Sequence, residues 1–168
     1  YIDEFFELLN ALAIHLDDTS ATMIIYIHNS AYEFNNLAEH FYKGFTTPDS
    51  VLMQSTVRPI FFKYLDRIEF RCSYLLTHKP LASLSKEVGL EKGGDYDYTK
   101  PRHSLTPLTE QEYEYSLRDV YNLYKWLDNE VKNYSKSINR QPNIYNLPLT
   151  QTGYVRRELR EKFSGTRE

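Results

Sequence analysis

The sequence predicts a fold that mixes sheet and helix, and three observations carry that expectation. A short, apolar, β-branched run lies at Thr22-Met23-Ile24-Ile25-Tyr26-Ile27; residues 51–74 alternate like hairpin strands; and a long amphipathic helix opens at Thr109. A sheet of mixed direction follows from an early strand joined to a later hairpin region, and periodicity alone leaves α/β and α+β both open. In chain order, Ile2, Phe5, Phe6, Leu9, Leu12 and Ala13 recur at helical spacing and predict a helix over about residues 2–15, with Asp3, Glu4 and Glu7 on its other face. The strand ends at His28-Asn29-Ser30. Phe34, Leu37, Ala38 and Phe41 then predict a helix from Tyr32 to Tyr42. Two or three strands are expected in residues 51–74, including Ile60 to Tyr64 and Ile68 to Cys72. Pro80 opens a short helix that reaches about Val88, and Gly89 closes it. Residues 90–108 read as a Gly- and Pro-punctuated loop. Thr109 with Glu112 forms a capping box, which binds two backbone N–H groups at the start of the long helix. Val120, Leu123, Tyr124 and Leu127 are expected to supply that helix's apolar face. Residues 135–149 read as a polar, Pro-containing linker, and Thr152 to Phe163 as a basic terminal helix.

Composition excludes several classes. At 168 residues the chain fits one domain with a real core, and the run Met23 to Ile27 is far shorter than the roughly 20 residues of a membrane-spanning helix. No membrane partner is expected. Cys72 is the single cysteine, so no internal disulfide forms, and with no signal-peptide pattern at the N-terminus the expected compartment is the reducing cytoplasm. The five histidines and Cys72 are too scattered for a zinc site, and Gly93-Gly94 makes no phosphate-binding loop. Charge is unevenly distributed. Residues 1–50 carry Lys43 against eight acids, whereas residues 51–168 carry 19 basic side chains against 15 acidic ones. Acid clusters can hold divalent cations and basic stretches can follow a phosphate backbone, but charge by itself reads as two differently solvated faces.

Three segments resemble one family, in one order. Tyr26-Ile27-His28-Asn29-Ser30-Ala31-Tyr32-Glu33-Phe34 is similar to the second exonuclease motif of protein-primed phage and plasmid family B DNA polymerases: His-Asn, two variable residues, an aromatic and an acid after a strand. Tyr115-Ser116-Leu117-Arg118-Asp119 resembles the Tyr-x-x-x-Asp of the third exonuclease motif. The approach to it, Asp97-Tyr98, Thr106 to Thr109 and Glu112-Tyr113, is similar too. Pro148 to Arg156 resembles a segment that lies between exonuclease and polymerase domains.

The resemblance implies an α/β, RNase H-like exonuclease domain, with a mixed sheet flanked by helices and incomplete at its N-terminus. Residues 1–134 would form the partial exonuclease domain, and residues 135–168 a linker and basic helix leading toward the polymerase domain. It also implies a proofreading 3′-to-5′ exonuclease that works by two-metal hydrolysis with Mg2+ or Mn2+. Hard divalent ions take oxygen ligands, and a pair of them activates water and stabilises the leaving oxygen. By resemblance Glu33 and Asp119 would ligate metal, Tyr115 would orient the attacking water, and Lys92 would contact the region of the scissile phosphate. Tyr26, His28, Asn29, Tyr32 and Tyr98 would hold the single-stranded 3′ end of DNA, where aromatic rings stack on bases without reading sequence. The Asp-x-Glu of the first exonuclease motif is absent, and Asp3-Glu4 does not replace it in spacing or context. The motif is therefore expected upstream, and the isolated chain is expected to bind metal poorly and to cleave weakly or not at all. Glu33 stands where the family more usually has Asp, one methylene shorter. The polymerase carboxylate motifs are absent as well, so nucleotide addition is not assigned to this chain. The competing readings are a nonenzymatic single-stranded nucleic-acid-binding module, which needs no paired acids, and a stand-alone RNase H-like nuclease, which has no use for Pro148 to Arg156.

Overall fold

A computed structural model describes residues 2–91, 96–97, 99–101, 103 and 106–164. The chain divides into two compact units: residues 1–78 with 148–168, and residues 79–147. Among the described residues no helix is long and apolar enough to cross a membrane.

The first unit is built on a four-stranded mixed sheet with α-helices packed against it, an α/β architecture. Helix α1 (Ile2–Asp18) leads into β1 (Met23–Ile27), followed by α2 (Ala31–Asn36), α3 (Ala38–Lys43), β2 (Val51–Ser55), β3 (Arg58–Tyr64), β4 (Ile68–Cys72) and α4 (Ser73–Thr77). The sheet order is β1-β4-β3-β2; β1 runs parallel to β4, and the other pairs are antiparallel. Ile25 lies opposite Phe70, Phe70 opposite Phe62, and Phe62 opposite Val51, which puts one apolar row across all the strands. Pro59 lacks the N–H a ladder needs, and the β2–β3 register shifts on both sides of Met53, the residue it faces.

Phe6, Leu9 and Ala13 of α1, Phe34 of α2 and Phe41 of α3 cover that row with Phe62, Tyr64, Ile68 and Phe70. Phe62 stacks on Phe70 at 4.8 Å, and Phe41 meets Phe62 edge-on at 4.7 Å. Each buried ring removes enough apolar surface to contribute about 2–3 kcal/mol, and ring pairs add about 1 kcal/mol. The alternation of the strands thus becomes a core on one face of the sheet. The other face of β4 carries charge: Arg71 Nε donates to Glu69 Oε1 at 2.7 Å, and Arg71 is only 7% exposed.

The helix expected from Tyr32 to Tyr42 is two short ones, broken at Leu37 (φ −114°, ψ 14°). Asn35 Nδ2 donates to the Ala31 carbonyl at 2.6 Å and to the Val57 carbonyl at 3.0 Å, so a side chain competes for the backbone just before the break. Helix α4 was hidden in the same apolar stretch as β4, where Ser73 to Thr77 carries no sign of its own period.

The second unit contains α5 (Leu81–Glu87) and α6 (Glu110–Ser137), with a 3-10 turn at Ile144–Asn146. Gly89 (φ 71°) ends α5, with Leu90 N–H donating to the Ser85 carbonyl. The capping box of α6 forms as expected: Glu112 N–H donates to Thr109 Oγ1 at 3.2 Å, and Glu112 Oε2 accepts from Thr109 N–H at 2.9 Å. Its packed face matches the expected one at Leu123 and the half-buried Leu127 but not at Val120 or Tyr124. Asn122, Leu123 and Trp126 are buried, whereas Val120 is 69% and Tyr124 58% exposed. The helix carries two apolar stripes on nearly opposite sides, and hydrogen bonds to α5 select one of them. Asn122 Nδ2 donates to Ser85 Oγ (2.9 Å), and Trp126 Nε1 donates to Glu87 Oε2 (2.8 Å). Tyr113, Leu117, Val120, Tyr121 and Tyr124 form the second stripe and stay exposed.

The segment 135–149 is held by buried polar side chains. Asn146 Nδ2 donates to Ser135 Oγ and to the Gln141 carbonyl, both at 2.8 Å. Helix α7 (Gln151–Ser164), back in the first unit, fills the span expected for the basic terminal helix.

Candidate functional site

The end of β1 gathers Tyr26, His28, Asn29, Tyr32 and Glu33 within a single strand-to-helix turn. Asn29 adopts the left-handed region (φ 63°), which Asn tolerates better than most side chains, and its carbonyl accepts from Tyr32 N–H at 3.1 Å. That turn is anchored by Ser30, fully enclosed, whose hydroxyl reaches the Pro59 carbonyl at 3.4 Å. Glu33 then falls in the first turn of α2.

Glu33 is half-buried, and its Oε2 is shielded from water with no hydrogen-bond partner among the described residues. Burial pushes its pKa up, and a hydrogen bond from its own backbone offsets part of that shift. An orphaned carboxylate oxygen in this position fits a hard cation, because such an ion takes oxygen donors and would restore the lost interactions. Among the described residues no group of three or more His, Cys, Asp or Glu side chains stands close enough to hold a metal ion, so Glu33 alone is a donor and not yet a site.

His28 is oriented by Ser73, a residue with no motif around it. Ser73 Oγ donates to the Ile27 carbonyl at 3.3 Å and lies 3.1 Å from His28 Nδ1. The donor in the Nδ1–Oγ contact follows the ring's tautomer, and in either tautomer the contact fixes the plane of the imidazole. Burial lowers the His28 pKa, which favours the neutral ring. The Tyr74 ring meets it edge-on at 5.8 Å.

The two tyrosines of the motif differ. Tyr32 is 71% exposed and presents an open ring. Tyr26 turns its hydroxyl inward, out of contact with water, with the Arg71 guanidinium 6.0 Å from its ring centroid. Burial raises its pKa, and the guanidinium pulls against that rise.

In the second unit Tyr115 and Asp119 lie one turn apart on the packed side of α6, and both are half-buried. The Tyr115 ring stands 5.2 Å from that of Tyr96. Less than a turn further on, Asn122 holds the Glu91 carbonyl at 3.2 Å, so this helix face also fixes the start of the loop that follows. Lys92 and Tyr98, expected in that loop, lie outside the described residues. Glu33 with the strand-end residues belongs to the first unit, and Tyr115 and Asp119 to the second.

Ser73, Arg71 and Asn122 were not found by reading the sequence. Each acts through a partner 31 or more positions away, or through the face of a strand, and no local pattern marks such contacts. Compared with protein-family models, curated proteins and solved structures, the chain matches none.

Proposed function

We propose that the chain is part of a DNA-directed DNA polymerase of the protein-primed family B type and contributes its proofreading 3′-to-5′ exonuclease, on an RNase H-like fold. The observation that carries this reading is the Glu33 carboxylate: a shielded oxygen with no hydrogen-bond partner among the described residues, just past the end of an apolar strand, beside His28, Asn29 and an exposed Tyr32. A shielded carboxylate oxygen left without a hydrogen bond is costly, and a bound cation would complete it.

Glu33 and Asp119, with acids from an upstream strand, would hold two Mg2+ or Mn2+ ions. When bound, such ions supply an activated water and stabilise the leaving oxygen of a phosphodiester. The chain's own residues do the rest. Tyr32 stacks a terminal base; His28, oriented by its Ser73 contact, hydrogen-bonds to base or sugar through Nε2; and Asn29 offers both a donor and an acceptor. Tyr115 orients the water from one turn before Asp119. Lys92 and Tyr98 are assigned to the phosphate and the strand. The remaining partner is the polymerase domain of the same parent polypeptide.

The test is removal of 3′ nucleotides from an end-labelled single strand by the polypeptide encoded by the complete open reading frame. With Mg2+ or Mn2+, Glu33→Ala and Asp119→Ala should each slow the reaction by at least about 100-fold while oligonucleotide binding persists. Intact strands after incubation with the unaltered polypeptide overturn the proposal, as does full activity in either variant.

A further inference from the structure

The C-terminal end of α6 forms a concavity lined by Lys132, Lys136, Asn139, Arg140, Gln141 and Pro142, wholly within the second unit. We propose that it binds the phosphodiester backbone of a single nucleic-acid strand. The choice of nucleic acid among polyanions rests on the function proposed above; the anion site itself does not.

The cations are spaced by four residues. Lys132 and Lys136 therefore share a helix row about 6 Å apart along the axis, and Arg140 follows beyond the helix end as part of the same lining. A step of that size lets an extended strand place successive phosphates against successive cations. The ordinary reason for basic residues here is the helix dipole, which favours cations near the last carbonyls. That reason covers Lys136. It does not cover Arg140, which lies beyond α6, or Lys132, which is more than one turn inside it. Asp128 pairs with Lys132 at 2.6 Å, whereas Lys136 and Arg140 form no ion pair among the described residues.

The far wall is fixed in advance. Asn139 takes the left-handed conformation (φ 53°), and Arg140 N–H donates to the Ser135 carbonyl at 2.8 Å, which closes the helix end without help from the basic side chains. Ser135 is fully enclosed and its hydroxyl accepts from Asn146 Nδ2, which also holds the Gln141 carbonyl. Asn143 N–H reaches the same hydroxyl at 3.4 Å. A loop pinned by the buried Asn146 and Ser135 presents Arg140 and Gln141 on a backbone that needs no ordering at binding, and the donors Nζ, guanidinium and amide are those that phosphate oxygens accept from.

The experiment measures binding of the full chain to a fluorescent oligo(dT) of about 20 nucleotides, in chelator, across about 50–200 mM salt. Lys136→Ala/Arg140→Ala is compared with Lys43→Ala/Lys162→Ala, which removes the same charge from exposed ion pairs elsewhere. The first pair should flatten the slope of log K against log salt by about 1.4, at about 0.7 per phosphate contact, and weaken low-salt binding about tenfold or more. The second pair should leave the slope in place. The proposal is overturned if the two pairs behave alike, if the first matches the unaltered chain, or if poly-glutamate displaces the strand as well as unlabelled oligonucleotide does. Chelation removes divalent ions, so a failure here leaves the exonuclease reading standing, and a failure of cleavage leaves this binding standing.

Discussion

Gly44 ends α3 at φ −97° and ψ 1°, a conformation open to any residue, so replacement by Ala meets no backbone penalty. Loss of unfolded-state freedom should by itself make Gly44→Ala stabilising by about 0.4–1 kcal/mol. The structure predicts the opposite sign. A Cβ on Gly44 would lie 2.2 Å from Tyr64 Cδ2 and Cε2 and 2.9 Å from Cγ, where carbon atoms ordinarily rest about 3.5–4.0 Å apart. Either the ring or the helix end must then move by more than about 1 Å. The ring is 4% exposed, packs against Phe6, and is tied by its hydroxyl to Asn10 Oδ1 at 2.8 Å. Moving the helix end instead breaks the bond from Leu65 N–H to the Gly44 carbonyl at 2.8 Å. Overpacking of about 1–3 kcal/mol plus one lost hydrogen bond of about 1 kcal/mol, less the about 0.4–1 kcal/mol gained from the unfolded state, gives a net destabilisation of about 1–3.5 kcal/mol. Urea unfolding at constant m measures it. A double-mutant cycle with Tyr64→Leu assigns it, because removing the ring should reduce the cost of Gly44→Ala to below about 1 kcal/mol. Equal cost in both backgrounds, or a more stable Gly44→Ala, refutes the steric argument.

Two further outcomes follow from the site. A carboxyl with a higher pKa folded than unfolded holds its proton more tightly in the native state, so Glu33 makes stability fall as pH rises through the carboxylate range. Glu33→Gln should therefore melt no lower than the unaltered chain at neutral pH, with the difference closing as pH falls through that range; a lower melting temperature at neutral pH would reveal a stabilising partner and sink the orphan assignment. Asn122→Ala removes the donor shared by Ser85 and the Glu91 carbonyl and should cost about 2–3 kcal/mol in urea unfolding, with faster amide exchange at residues 90–91 if that carbonyl link holds the loop.

Local chemistry made much of the fold legible. Thr109 with Glu112, Gly89 after α5, and the β-branched run of β1 each act within a few residues, and each appears where expected. The break at Leu37 and the packed side of α6 were not legible, because each depends on a distant partner: Val57 for Asn35, and Ser85 and Glu87 for α6. At the candidate site, the order His28-Asn29 then Tyr32-Glu33 could be read from the chain. The Ser73 contact that orients His28 could not, because it spans 45 positions.

The placing of β1 at the margin of its sheet has a practical side. Every residue from Met23 to Ile27 is apolar or aromatic and half-buried, and on the side away from β4 it pairs with no strand among the described residues. Such a border is a template for any extended segment that meets it. Purified in isolation, the chain should become turbid in proportion to its concentration, and a lysine introduced at the rim would be the first remedy to try.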